Sequence, residues 1–155
     1  MSWKRRFEPL VRPILQAWWR LTRGMTLGVR GIVLRGDGCV VLVKHTYVPG
    51  WHLPGGGIER GEPAHLSLQR ELQEECGVDL TGPARLLGIF SNEPRFRGDH
   101  VLLYLAETWQ VCDCDHDGEI EAVEWFHPDD LPQDVTPATR RRLEEWRSGQ
   151  SADFW

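Results

Sequence analysis

GGIERGEPAHLSLQRELQEECGV, residues 56–78, is the stretch around which the chain is organised. It leaves His52-Leu53-Pro54 through a glycine loop, passes Glu62, and enters a run in which Ala64, Leu68 and Leu72 recur at helical spacing. Pro63 suits a first helical position, because proline has no N–H to lose there. Glu71 and Glu75 stand one turn apart with Glu74 beside them, so three carboxylates crowd an arc next to the apolar stripe. Like charges so placed repel, and a helix serving only solubility would alternate them with lysines. A solvated acidic face is the plain reading. The functional one is a set of hard oxygen ligands for a divalent cation.

The pattern around those acids decides between the two. Gly56, Glu62, Arg70-Glu71-Leu72, Glu74-Glu75 and Gly77-Val78 occupy every fixed position of the Nudix box, and the chain resembles a Nudix hydrolase over roughly residues 25–148. The resemblance implies an α/β/α sandwich with a mixed β-sheet. It also implies hydrolysis of a nucleoside diphosphate linked to another moiety, by water attack on phosphorus with Mg²⁺ or Mn²⁺. Carried over residue by residue, it gives metal ligation to Glu71, Glu74 and Glu75, with Glu75 the foremost, and a further main-chain carbonyl ligand near Gly56. Glu62 and Arg70 become orienting residues, Arg70 holding carboxylates by charge-assisted hydrogen bonds. The physical argument runs the same way: a diphosphate repels an incoming hydroxide, and a metal clamp screens that charge while lowering the pKa of a bound water.

Members of this family often take one more acidic residue from a loop outside the box. The run Asp113 to Glu121, DCDHDGEIE, lies just before a strand at Trp125-Phe126, and Glu119 is the expected residue, with Asp117 and Glu121 next. The rest of the run reads as a solvated acidic loop. Cys112, Cys114 and His116 supply three ligands of a four-ligand zinc site, a weak signal. Ser91 to His100, SNEPRFRGDH, carries Arg95 and Arg97 around Phe96. Guanidinium groups grip phosphate and an aromatic ring stacks on a base, so this loop is the expected substrate reader. Pro94 sits where ADP-ribose-directed members of the family tend to carry a proline, but its surroundings do not resemble theirs.

Flanking patterns complete the domain. Thr26 to Arg35 and Cys39 to His45 are β-branched runs around Gly36-Asp37-Gly38, a hairpin signature. Trp51 to Leu53, Ala84 to Phe90, Val101 to Trp109 and Ala122 to Phe126 read as further strands. A last helix runs from about Thr136 to Trp146, capped by Thr136 and Pro137. At 155 residues and 41% hydrophobic content the chain holds one domain with a real core. The net charge of −5 excludes a nucleic-acid coat role, which depends on Lys and Arg neutralising phosphates. The four cysteines lack disulfide-scaffold spacing, and with no signal-peptide order the expected setting is cytoplasmic.

Two rival functions remain beside the hydrolase. One is a nucleotide-binding or sensor module on the same fold, which would normally show as missing box glutamates; none is missing here. The other is a membrane-surface adaptor worked by residues 1–24, a basic helical extension rich in Trp, Leu and Arg. Residues 149–155 read as a C-terminal tail. Trp18 and Trp19, being adjacent, project about a hundred degrees apart on a helix, so one narrow stripe cannot bury both. A homodimer held partly by residues 1–23 satisfies both rings. Light scattering at micromolar concentration is expected to give a dimer that deletion of residues 1–23 weakens; a full-length monomer would reject it.

Overall fold

Side-chain alternation along the central strands divides the core in two. In the computed structural model, which describes residues 24–114 and 118–155, strands β1 (Thr26–Val33), β2 (Val40–His45) and β6 (Asp99–Ala106) are almost wholly buried at their centres. One face presents Val29, Val33, Val41, Tyr104 and Ala106 to Leu68 and Leu72 of helix α1 (Ala64–Cys76). The other presents Ile32, Val40, Leu42, Leu103 and Leu105 to Val135 and to Leu143 of helix α2 (Pro137–Ser148). Strands buried on both faces lose the polar alternation of a one-sided sheet and read as continuous apolar runs. The result is the expected α/β/α sandwich.

The sheet is mixed. β6 pairs in parallel with β1 and antiparallel with β5 (Arg85–Ser91), giving the order β1-β6-β5. A second sheet has the order β3-β2-β8, with β3 at Trp51–His52 and β8 at Ile120–Phe126. Two short strands, β4 (Val78–Leu80) and β7 (Trp109–Val111), pair beside the end of α1.

Three local readings need correction. The Gly36-Asp37-Gly38 turn forms, with Arg35 N–H donating to the Cys39 carbonyl at 2.8 Å, yet β1 and β2 do not make a hairpin ladder. After one bridge at Leu34–Val40 they part into different sheets, because β1 finds a full-length parallel partner in β6. Pro63 is the residue before α1 rather than its first, with extended backbone and its carbonyl accepting from Leu66 and Ser67. The run read as one strand to Trp109 breaks after Ala106.

The segment after α2 lies along β5 instead of hanging free. Ser91 N–H donates to the Asp153 carbonyl and its own carbonyl accepts from Trp155 N–H, at 2.9 and 2.8 Å. Arg142 is fully buried, 4.2 Å over the Phe90 ring and 5.5 Å from the Trp155 ring, and donates to Glu145 at 2.8 Å. No helix among the described residues is long and apolar enough to cross a membrane. Residues 1–23, the expected N-terminal helix, and residues 115–117, with His116 and Asp117, lie outside the described residues.

The glycine loop is what positions α1 against β1. Val29 N–H donates to Gly56, Gly31 N–H to Pro54 and Ile58 N–H to Leu27, each at 2.9 Å, so the loop lies along the strand. Gly55 has φ +136°, and a Cβ there would sit 2.2 Å from the Val29 carbonyl oxygen, whereas a Cβ on Gly57 would meet nothing within 4 Å. Gly55→Ala is therefore expected to lose at least about 2 kcal/mol in urea unfolding, from backbone strain alone. Gly57→Ala is expected to stay near wild type; equal losses would show that the contact with β1 does not constrain the loop.

Candidate active site

A cavity of about 810 Å³ opens where the glycine loop, the end of β2 and the β5–β6 loop converge. Helix periodicity brings two of the three clustered carboxylates to it. Glu71 and Glu75 line the cavity, their side chains 13% and 12% exposed, while Glu74 points outward at 58% and lies against Arg70.

Glu75 Oε2 accepts the Gly55 N–H at 2.7 Å. Its other oxygen lies 3.7 Å from His45 Nε2, but this is no ion pair: burial, with Arg30 and His52 nearby, pushes the His45 imidazole down to about 4, so the ring is neutral. Burial also pushes the Glu75 carboxyl up to about 7, against the Gly55 hydrogen bond and the Arg30 charge. Glu71 is raised too, chiefly by burial, with Arg70 opposing. Both acids are buried, Glu71 against Arg70 and Glu75 against the Gly55 N–H.

Arg70 collects the remaining acids. It donates to Glu62 through Nε and Nη2 at 3.1 and 3.2 Å, to Glu71 at 2.8 Å, to Glu74 at 3.2 Å and to the Gly57 carbonyl at 3.3 Å. The Arg70 bond, with the Glu59 N–H beside it, pulls Glu62 down to about 2. The expected orienting pair is therefore formed, and it anchors α1 to the loop. A Cβ on Gly56 would lie 2.6 Å from the Glu71 carboxylate, so glycine there is what admits the acid. The Gly56 carbonyl accepts from Val29 N–H, leaving one lone pair.

Glu119 reaches the same cavity from a separate part of the chain. It sits at the entrance to β8, its carbonyl accepting the Thr46 N–H at 2.9 Å, which carries it beside Tyr47 and opposite the helix acids. Glu121, one of its alternates, lies on β8 and does not line the cavity. Arg95, Phe96 and Arg97 all do. Their loop is closed by Asn92 N–H to Asp99, Phe96 N–H to Asn92, and Gly98 N–H to the Glu93 side chain, each at 2.9 Å. Arg95 lies 5.7 Å from the Phe96 ring.

Sequence reading missed Arg30, His45, His52, Asn92 and Trp155 on the cavity wall. Arg30 donates to the carbonyls of Leu53 and Gly55, clamping the loop from β1. Its only signal was a single charge inside an apolar strand; His45 similarly closed an apolar run. Trp155 had none, since it arrives through the pairing of residues 153–155 with Ser91.

The donor chemistry fits a hard divalent cation, with two carboxylates lining one cavity beside the backbone of Gly55, Gly56 and Gly57. Among the described residues no three His, Cys, Asp or Glu side chains are gathered closely enough to hold a metal. The expected trio is not assembled because Glu74 is turned onto Arg70, and His116, the third member of the Cys112–Cys114–His116 zinc reading, lies outside the described residues.

Comparison with known proteins gives the same reading. The NUDIX domain pattern matches residues 24–146. A Bacillus subtilis (strain 168) protein named for an 8-oxo-dGTP diphosphatase activity is 31% identical over 124 residues, covering 80% of this chain and 81% of its own. The nucleoside triphosphatase NudI of Escherichia fergusonii is 30% identical, covering 72% of this chain and 89% of its own. The crystal structure of a MutT NUDIX hydrolase from Burkholderia pseudomallei superposes with a TM-score of 0.64 at 32% identity, over 78% of this chain and 97% of that one. With the box intact and two of its acids, Glu71 and Glu75, on a single cavity, the chain belongs to the Nudix hydrolase family and is a pyrophosphohydrolase of that type.

Proposed function

We propose that the chain hydrolyses a phosphoanhydride bond of a nucleotide, a nucleoside diphosphate extended by a further phosphate or another moiety, with Mg²⁺ or Mn²⁺. The observation carrying this reading is that two buried carboxylates, Glu71 and Glu75, line the same cavity as Arg95 and Arg97. The two relatives described above carry names that specify nucleoside triphosphates, which fall in this class.

Glu75 and Glu71 hold the cation, with the Gly56 carbonyl offering its remaining lone pair. Glu74 steadies Arg70, and joins the ligands only by leaving it. When bound, the cation screens the phosphate charge and acidifies a water. Arg95 and Arg97 grip phosphate oxygens from the opposite wall by charge-assisted hydrogen bonds. Glu119, on the cavity rim and free of the Arg70 network, accepts a proton as the water oxygen bonds to phosphorus. The phosphorus–oxygen bond to the leaving phosphate then breaks, and that group departs with the electron pair. Phe96, 57% exposed at the mouth, offers a face to a base.

Glu75→Gln is expected to cut turnover by at least about a hundredfold, since the nearly isosteric amide removes an anionic ligand. Chelator should stop the wild type and Mg²⁺ restore it; activity in excess chelator sinks the mechanism. The metal-free protein offers an independent reading. A carboxyl raised from 4.5 to about 7 by folding binds more protons folded than unfolded, so its contribution to stability is complete below pH 4.5 and is lost as pH rises through 7. In chelator at pH 8, Glu75→Gln is expected to be more stable than wild type in urea, and the advantage to vanish near pH 4.5. A constant difference across that range would remove burial of the charge as the cause.

Glu119→Gln is expected to lower kcat by about tenfold or more with little change in KM, whereas Glu121→Gln stays within about twofold. The reverse ranking moves the role two residues along the chain.

A further inference from the structure

A second hollow of about 420 Å³ adjoins the active-site cavity, and Arg30, Val48, His52, Asn92, Arg95 and Trp155 line both. None of Glu71, Glu75 and Glu119 borders this hollow. A substrate whose phosphates lie at the acidic end therefore reaches, beyond that shared wall, a region without the metal-site acids. The wall has four side chains able to hydrogen-bond and one large flat apolar surface, the indole of Trp155. A flat ring edged with heteroatoms is the chemistry that matches both.

The indole is held in advance. The Trp155 main-chain N–H donates to the Ser91 carbonyl at 2.8 Å, and its main-chain carbonyl accepts from Arg141 at 2.9 Å. Its ring meets Phe90 edge-on at 5.8 Å, with the fully buried Arg142 guanidinium against both rings. Fixing a side chain before the ligand arrives removes an ordering cost that binding would otherwise meet. Phe96, exposed on its loop, has no comparable support among the described residues beyond Arg95.

We infer that Trp155 is a specificity-determining residue whose indole stacks on the nucleobase of the substrate, the segment after α2 serving to place it beside the phosphate site. The inference rests on the proposed nucleotide hydrolysis and names the group that reads the base. Stacking on an aromatic side chain tolerates every base, so Arg30, His52 and Asn92 would add the selection by hydrogen bonds to the base edge.

The test compares each common deoxynucleoside triphosphate with abasic 2-deoxyribose 5-triphosphate, using full-length chain and Mg²⁺. Trp155→Ala is expected to raise KM for the nucleotides by about tenfold or more, leaving kcat within about threefold and the abasic substrate unaffected. Trp155→Phe should recover most of the loss. Equal damage to both substrates, with a lowered thermal midpoint, would reduce Trp155 to a support for Phe90 and Arg142 and overturn the inference; so would an unchanged nucleotide KM. If the wild type turns over no nucleotide, the hydrolase proposal fails, and calorimetry with α,β-methylene dGTP still decides this one. Binding weakened by Trp155→Ala and kept by Trp155→Phe upholds stacking; binding equal in all three, or absent from the wild type, overturns it.

Discussion

The buried end of helix α1 is tied to the glycine loop by one hydrogen bond, the Gly55 N–H donated to the carboxylate of Glu75, while Ser67 and Arg70 of the same helix hold the loop at the Gly57 carbonyl. The Gly55 bond joins the loop lying along β1 to the last turn of α1, and it exists only because Gly55 adopts φ +136° with its Cα pressed on the Val29 carbonyl. Burying a carboxylate with so little compensation costs several kcal/mol. The apolar stripe beside it offsets that cost. Leu68 and Leu72, both fully buried against β1 and β2, contribute roughly 2–3 kcal/mol each. Gly31 lets them approach, since a Cβ there would meet both leucines at 3.2 Å. The helix thus carries its stabilising face and its strained acid side by side. That strain suits function, because a carboxylate kept from water and from arginine retains its demand for a cation.

What was legible in the sequence follows the range of the interactions involved. Helix α1 and its leucine stripe are local, and spacing placed them, while the roles of Glu62 and Arg70 came from the resemblance to the family pattern. The caps of α2 were equally readable, with Thr136 accepting from Thr139 N–H and Pro137 following it. Long-range pairing was less so. The turn at Gly36-Asp37-Gly38 is a local device and forms as expected, but which strand lies beside β1 is decided by the eight-residue parallel register with β6, which no local signal announces. Glu119 was found because family resemblance directs attention to that loop, and β2–β8 pairing then brings it to the helix acids. Arg30, His45 and Trp155 were missed for the same reason that β1 was mispaired. Their positions depend on which strand edges meet.

Glu74 shows the limit of spacing arguments in another way. One turn after Arg70 on the same helix, it is as well placed for an i,i+4 ion pair as for a metal, and in the protein alone the arginine holds it. Helical periodicity says which residues share an arc; it does not say which partner on that arc wins. For Glu71 the competition is closer, since its carboxyl is bonded to Arg70 while burial raises its pKa. Arg70 therefore occupies the acids that a cation would otherwise draw together, and keeps their mutual repulsion from unwinding the turn.

The two ends of the cavity rest on different kinds of support. The acidic end is built from α1 and the glycine loop, whose positions follow from packed core and from backbone contact with β1. The opposite end is built from a closed seven-residue loop at 92–98 and a segment laid on the β5 edge, both at the surface and both outside the two core clusters apart from Trp155. Substitutions in such segments usually cost little stability. On the proposed reading, chemistry at the phosphates and recognition of what they are attached to are thereby separated in the fold, the first resting on the core and the second mostly on surface segments.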